Sequence, residues 1–352
     1  MYKAKYKKYK LIFKQPSGTS RGVLTEKITY FINIWNDANP SVIGIGECSV
    51  LKGLSIDDRD DYEQFLDNFC KNINEHILDY KNKLSEFPSI CFGMETALLD
   101  LKNGGKRILF PSAFTEGYEG IPINGLIWMG NVGFMKEQLR KKVEEGYRCI
   151  KIKIGGIEFE EELKLLNSLR QQYPENYFEI RLDANGAFNT DEVRERLRRL
   201  SKHKIHSIEQ PIKQGDWHAM AELCKESPIP IALDEELIGI QTYEEKEKLV
   251  SQILPQYIIL KPSLLGGLRQ CEEWIEIANK YKIGWWITSA LESNIGLNAI
   301  AQWTFTLKSK LPQGLGTGQL YTNNINSPLL IEDSKLWYMG GEWGTGAIEE
   351  QA

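Results

Sequence analysis

The feature that most constrains the fold is the alternation, from about residue 121 onward, of short apolar segments with charged amphipathic ones. Runs such as "FEIRLD" have the length of buried strands, and segments such as "TDEVRERLRRLSKH" have helical spacing of apolar residues. Polar residues ending successive strands are 26, 25, 27 and 28 positions apart, at Asp183, Glu209, Asp234, Lys261 and Ser289. One strand, one helix and two loops need this length, so the spacing predicts a parallel (β/α) barrel. A doubly wound open sheet is the alternative, but no G-x-G-x-x-G follows the first strand.

The first hundred residues mix both kinds of element without that alternation. The segments "KLIFK" and "KITYFINIW" are typical of strands, and "PSGTSRG" between them is typical of a loop. Helical periodicity follows in "DRDDYEQFLDNFCKNINEHILDYKNKL" and in "CFGMETALLDLKN", which ends at two glycines. The pattern predicts a separate α+β domain before the barrel.

Composition excludes several classes of protein. The net charge of -5 and the pI of about 5.7 argue against a nucleic-acid partner. No apolar run is long enough to span a membrane, and the basic N-terminus lacks the apolar core of a signal peptide. The six cysteines are scattered without a C-x-x-C pair, as in a reducing compartment. We therefore expect a cytoplasmic protein with no membrane partner; a lipid-binding N-terminal lysine cluster is the weaker alternative, and the oligomeric state stays open.

Three carboxylates are predicted to meet at one end of the barrel. The carboxyl ends of parallel barrel strands share one face, and Asp183, Glu209 and Asp234 end neighbouring strands. Three anions in a small volume repel each other unless a cation lies between them. Magnesium favours such oxygen ligands, so we expect a Mg²⁺ site, with Mn²⁺ as a possible substitute. Any one of these residues alone could instead cap the helix that follows it.

Lysines flank the three acidic strands. In "CIKIKIGG", residues 149–156, Lys151 and Lys153 alternate with isoleucines and therefore share one strand face, which a central barrel strand turns inward. Lys261 ends the strand beyond the acidic ones, which puts it on the opposite side of the expected metal. This arrangement suggests removal of a proton next to a substrate carboxylate, giving an enediolate that the cations stabilise. Metal binding by His203 and His206 is a weaker alternative.

The K-x-K strand, the Asp/Glu/Asp series and the later lysine resemble the enolase superfamily, in its muconate-lactonising-enzyme-like subgroup. The stretches "TSALESNIGLNAIAQW" and "GLGTGQLYTNN" are similar to those of o-succinylbenzoate synthases of menaquinone biosynthesis. The resemblance implies a modified TIM barrel, (β/α)7β, over residues 116–320. It also implies an N-terminal α+β capping domain over residues 1–115, to which residues 321–352 return.

The resemblance also implies roles for individual residues. Asp183, Glu209 and Asp234 would bind magnesium. Lys153 would remove the proton α to the ring carboxylate of a small anionic cyclohexadiene carboxylate and return it to the leaving hydroxyl, while Lys261 would stabilise the enediolate. The expected substrate-binding residues are Lys151, Asn185, Ser289, Leu291, Gly316 and, in a closing loop, Thr19, Ser20 and Arg21.

Other functions stay open at this point. Two opposed lysines could also racemise N-succinylamino acids or epimerise dipeptides, although the D-x-D motif of dipeptide epimerases is missing from "GLGTGQLY". A barrel kept only for binding is the third hypothesis. Burying two lysines and three carboxylates without a function would cost stability, which counts against it.

Overall fold

A computed structural model describes residues 1–19 and 22–349. The chain begins with an antiparallel sheet in the order β1-β2-β3, built from β1 (Tyr2–Thr19), β2 (Gly22–Asn36) and β3 (Asn39–Cys48). In β1, Tyr2, Ala4 and Tyr6 are half-buried whereas the lysines between them are exposed, as the alternation predicts. The sheet packs against α1 (Tyr62–Lys71), α2 (Ile73–His76) and α4 (Pro88–Lys102), and the short α3 (Tyr80–Lys83) lies between α2 and α4 in the chain.

The predicted loop "PSGTSRG", residues 16–22, is wrong for residues 16–19, which belong to β1, and for Gly22, which begins β2. Ser17 pairs with Leu24 and Gly18 with Val23, after an irregularity in register that follows Ile12. The irregular stretch bends the hairpin, and Gly18 also forms a β-bridge with Met129 of the barrel. Backbone pairing on both sides therefore holds this polar segment extended, which local composition could not reveal.

The rest of the chain alternates strands and helices as the spacing predicts. The elements are β4 (Ile121–Pro122), β5 (Gly125–Ile127), α5 (Val132–Glu144), β6 (Cys149–Lys153), α6 (Phe159–Gln172), β7 (Glu179–Asp183), α7 (Val193–Leu200), β8 (Ser207–Glu209), α8 (Trp217–Glu226), β9 (Ile231–Leu233), α9 (Tyr243–Ile253), β10 (Tyr257–Leu260), α10 (Pro262–Leu265), α11 (Leu268–Lys280), β11 (Gly284–Ile287), α12 (Asn294–Thr306), β12 (Leu329–Glu332) and β13 (Lys335–Tyr338). Strands β5 to β11 form one parallel sheet in sequence order.

A two-residue segment closes this sheet into a barrel. Gln313 forms a parallel bridge with Ile123 beside β5, and Gly314 forms one with Thr288 beside β11. A Cβ on Gly314 would lie 2.5 Å from Thr288 Oγ1, so only glycine allows this close approach. The segment stands where the eighth strand is expected, which confirms the modified (β/α)7β barrel with a separate N-terminal sheet. The domain boundaries at residues 115 and 320 stay a prediction.

The hydrophobic core lies between the barrel strands and their surrounding helices, and a second cluster lies between the N-terminal sheet and α1 and α4. Residues Ile150, Ile152, Ile180 and Leu182 point outward to the helices, which turns their strand neighbours Lys151, Lys153, Arg181 and Asp183 into the barrel interior. No helix in the described ranges has the length and apolar character needed to cross a membrane.

Candidate active site

A cavity of about 700 Å³ lies at the carboxyl ends of the barrel strands. Lys153, Asp183 and Lys261 line its base, and Leu24 and Leu51 of the N-terminal sheet and its following loop line its other side. The β1–β2 hairpin lies along it, because Ser17 and Gly22 are also lining residues. The cavity is thus formed jointly by the barrel and the antiparallel sheet, the arrangement in which small-molecule sites commonly occur.

The K-x-K strand places both of its lysines among carboxylates. Lys151 Nζ lies 2.7 Å from Glu209 Oε2 and 3.0 Å from Asp183 Oδ2. Lys153 Nζ lies 2.9 Å from Asp183 Oδ2 and donates to Asn185 Oδ1 at 2.7 Å. The register of β6 with β7 pairs Lys153 with Asp183. Since Lys151 is two residues earlier on the same strand face, both lysines reach the carboxylates of the neighbouring strands.

Lys261 occupies the other side of the cavity base. It follows β10 and is ion-paired with Asp234, which follows β9. Since β7, β8 and β9 lie between β6 and β10 in the sheet, Lys153 and Lys261 approach the cavity from opposite sides of the acidic strands. The structure therefore brings together the five residues predicted as metal ligands and catalytic lysines.

The three lysines differ in their electrostatic environment. Burial lowers the pKa of Lys153, and the nearby charges of Lys151 and Lys261 lower it further, whereas Asp183 opposes the shift. Burial alone would also lower the pKa of Lys151, but Asp183 and Glu209 outweigh it and raise that pKa. Burial would likewise lower the pKa of Lys261, but the charge of Asp234 outweighs burial and raises that pKa. Of the three, Lys153 is therefore the amine best able to lose its proton and act as a base.

The three carboxylates also differ in the direction in which their surroundings shift the pKa. Burial would raise the pKa of Asp183, but three surrounding lysines hold it below its ordinary value. Burial raises the pKa of Glu209 to about 7, against the charge of Lys151 and together with the charges of Asp183 and Asp234. Burial also raises the pKa of Asp234. The mutual repulsion of the three carboxylates that the sequence predicts is thus present in the structure.

The donor chemistry at this point fits a hard divalent cation. All three carboxylates are at most 2% exposed, and Glu209 Oε1 is buried without a hydrogen-bond partner among the residues that the structure describes. Within the described residues, no three Asp, Glu, His or Cys side chains are grouped closely enough to hold a metal ion. Lysine ammonium groups lie against these carboxylates: Lys151 pairs with Asp183 and Glu209, and Lys261 pairs with Asp234.

The expected substrate-binding residues fall into two groups. Lys151, Asn185, Ser289, Leu291 and Gly316 all line the cavity. The Ser289 hydroxyl already donates to Glu292 and accepts from Thr317 Oγ1 at 2.7 Å. Of the hairpin residues, Thr19 ends β1, whereas Ser20 and Arg21 lie outside the described residues.

Sequence reasoning missed one contact of the base Lys153 and one contact of its hydrogen-bond partner Asn185. The ring of Trp128 lies 5.9 Å from Lys153 Nζ in a cation–π contact, and Asn185 donates to Glu235 Oε1 at 3.0 Å. Trp128 follows β5, so its place at a strand end was the available signal. His206 lies before β8, at the opposite end of the barrel, where its ring packs on Tyr257.

Comparison with known proteins identifies the class. The model of the enolase C-terminal domain-like family matches residues 134–341, more than half of the chain, and the chain belongs to that family. It is 46% identical to an o-succinylbenzoate synthase of Desulfotalea psychrophila, over 94% of this chain and 97% of the relative. A crystal structure of MenC from the same organism superposes with a TM-score of 0.84 at 43% identity, covering 96% of this chain and 99% of that one.

A more distant relative is an L-Ala-D/L-Glu epimerase of Francisella tularensis subsp. novicida, 26% identical over 74% of this chain and 77% of the relative. The solved L-Ala-D/L-Glu epimerase of Bacillus subtilis has a TM-score of 0.81 at 16% identity and covers 99% of both chains, a likeness of fold alone.

Proposed function

We propose that the chain is a carbon–oxygen lyase that dehydrates 2-succinyl-6-hydroxy-2,4-cyclohexadiene-1-carboxylate to 2-succinylbenzoate, in menaquinone biosynthesis. The observation that carries the proposal is the pair Lys153 and Lys261, which approach one cavity from opposite sides of three buried carboxylates. The 46% identity with a relative named for this activity, across 94% of the chain, supports the choice of substrate.

Lys153 is the proposed base. In its neutral form, Nζ takes the proton from the ring carbon that bears the carboxylate, and the electron pair of that C–H bond moves toward the carboxylate as an enediolate. The pair then forms the new ring double bond while the neighbouring hydroxyl leaves with the proton of Lys153 as water. Lys153 ends neutral, the ring becomes aromatic, and one base serves both proton transfers.

The other charged residues stabilise the negative charge that develops. Lys261 lies on the opposite side of the cavity, where its ammonium and the aromatising ring attract each other. Asp183, Glu209 and Asp234 are the proposed ligands of Mg²⁺ or Mn²⁺, with Lys151 balancing their charge. When bound, the metal supplies positive charge next to the substrate carboxylate.

The remaining cavity residues are proposed to bind the substrate. Asn185 would hold Lys153 in place through its 2.7 Å hydrogen bond. Ser289, Leu291 and Gly316 form the proposed wall for the succinyl group, and Thr19, Ser20 and Arg21 are proposed to cover it. A cytoplasmic location agrees with the six buried free thiols.

Racemisation of N-succinylamino acids is the second candidate, because two lysines on opposite sides of one carbon can act as alternating bases. A relative named N-succinylamino acid racemase, from Thermus thermophilus, is 31% identical over 45% of this chain and 40% of the relative. Dipeptide epimerisation is less favoured, since "GLGTGQLY", residues 314–321, carries no acid to bind an ammonium group.

The test is an ultraviolet assay of aromatisation with purified protein and Mg²⁺, run beside deuterium exchange at the α-carbon of N-succinylamino acids. The proposal expects aromatisation that requires the metal. Deuterium exchange without aromatisation would favour the racemase over the proposed lyase. If neither reaction occurred, both candidate functions would be wrong.

A further inference from the structure

Two buried carboxylates meet at the start of α12, outside the cavity base. Glu47 comes from β3, Glu292 precedes α12, and both are fully buried. A Cβ on Gly296 would lie 2.8 Å from Glu292 Cβ and 2.9 Å from Glu47 Oε2, so both side chains pack against this glycine. Two like charges this close and this buried require compensation by hydrogen bonds or by a cation.

Hydrogen bonds from the helix terminus and from β2 compensate Glu47. Its carboxylate accepts from the backbone N–H groups of Ser293 and Gly296, each at 2.9 Å, and from Thr29 Oγ1 at 2.8 Å. The N-terminus of the 13-residue α12 adds the partial positive charge of its dipole. Glu47 therefore ties the antiparallel sheet to the barrel.

Glu292 has a different environment. Its two oxygens accept from the hydroxyl groups of Ser263 and Ser289, which are neutral donors. Ser289 lines the cavity and in turn accepts from the backbone N–H of Leu291 at 3.1 Å. Leu291 has a φ of 65°, a left-handed conformation that a β-branched or bulky residue adopts only when its surroundings hold it. The Glu292 carboxylate thus holds the cavity wall.

Among the described residues, Lys27 is the lysine whose charge acts on Glu292. Lys27 of β2 is 6% exposed, and its ammonium donates a hydrogen bond to Ser49, which directly follows β3 and is two residues after Glu47. Burial lowers the pKa of Lys27, and the charges of Glu47 and Glu292 oppose that shift. In the described part of the chain the ammonium reaches Ser49 rather than forming a direct ion pair with either carboxylate, so its charge acts through the dry interior.

We propose that Lys27 is a positioning residue for the substrate: it is the counter-charge that keeps Glu292 hydrogen-bonded to Ser289 and thereby fixes the Ser289–Leu291 wall of the cavity. The proposal rests on the proposed function, which gives that wall its substrate. It assigns to the antiparallel sheet a charge that acts on the barrel wall without touching the substrate.

The test compares Lys27→Met with Lys246→Met in the aromatisation assay. Lys246 is the control, because it is also a buried lysine, but its ammonium is ion-paired with Glu273 between α9 and α11, away from Glu292. We expect Lys27→Met to raise KM about tenfold and to change kcat less than about threefold, since the wall moves and the base does not. Lys246→Met should keep the KM of the unmodified protein, and Lys27→Arg, which retains the charge, should fall between that value and Lys27→Met.

A double variant makes the test independent of folding and of the proposed activity. Lys27→Met/Glu292→Gln removes both charges, so it should unfold at a higher temperature than Lys27→Met alone, and it serves where the single variant does not fold. An unchanged KM in Lys27→Met, an equal KM increase in Lys246→Met, or a double variant no more stable than Lys27→Met would each overturn the role of Lys27. If the unmodified protein does not aromatise the substrate, the proposed function is wrong. The unfolding temperatures of the variants still measure the coupling between the charges of Lys27 and Glu292, so the two failures can be told apart.

Discussion

The substitution Glu162→Gln should remove a large pH dependence of stability. Glu162 of α6 is 2% exposed and accepts a hydrogen bond from the backbone N–H of Gly155, two residues after Lys153, at 2.6 Å. Burial raises its pKa from 4.5 to about 7, against the hydrogen bonds from Gly155 and its neighbours. The folded state therefore binds the proton more tightly than the unfolded chain does.

The direction and size of the pH dependence follow from the difference between the pKa of Glu162 in the folded protein and in the unfolded chain. Between about pH 4.5 and pH 7 the folded protein holds more protons at Glu162, so the free energy of unfolding falls as the pH rises. The rise in pKa from 4.5 to about 7 corresponds to a loss of at most about 3 kcal/mol in the free energy of unfolding, which is complete above pH 7. Glutamine has no such titration, so Glu162→Gln should gain stability relative to the unmodified protein as the pH rises through this window.

The assay is urea unfolding followed by circular dichroism across that pH range. Glu161→Gln on the same helix is the matched control, because Glu161 is exposed and paired with Lys164. Its curve should run parallel to that of the unmodified protein. If the curve for Glu162→Gln also ran parallel to that of the unmodified protein, burial would not raise the pKa of Glu162.

Three further outcomes are expected. Gly46→Ala should lower the free energy of unfolding by about 3 kcal/mol, because its Cβ would lie 1.8 Å from Gly93 O where β3 crosses α4. Gly346→Ala, whose new Cβ has no atom of the described residues within 4 Å, should change it little, and calorimetry would separate the two. Lys261→Met should lower kcat at least about a hundredfold in a folded protein, and a smaller loss would remove its role in charge stabilisation. Mg²⁺ should raise the melting temperature of protein treated with a chelator and should not do so in Asp234→Asn; equal shifts in both would place the metal elsewhere.

The barrel and its polar strand ends could be predicted because both depend on local sequence. Each strand is a short apolar run, and period-two alternation alone turns Lys151, Lys153 and Asp183 inward. The closing segment at Gln313 and Gly314 is only two residues long, so it carries no periodicity of its own. The hairpin at Ser17 is held by pairing with Leu24, which composition does not encode.

The buried group of Lys27, Glu47 and Glu292 could not be predicted for a related reason. Glu47 and Ser293 are 246 residues apart in the chain, and their hydrogen bond exists only once the sheet docks on the barrel. Lys27 lies in a run that reads as an ordinary amphipathic strand, where a lysine is expected to face water. Burial of that lysine is a property of the tertiary structure, so sequence alone gave no reason to single it out.

Lys153 is the residue proposed to remove the proton that starts aromatisation. The most direct measurement is the ultraviolet change on mixing the cyclohexadiene substrate and Mg²⁺ with Lys153→Ala, beside Lys164→Ala, which removes an exposed lysine of α6. Circular dichroism would establish that both variants are folded. We expect no aromatisation above background with Lys153→Ala and the full rate with Lys164→Ala. Aromatisation by Lys153→Ala at the rate of the unmodified protein would contradict this role of Lys153.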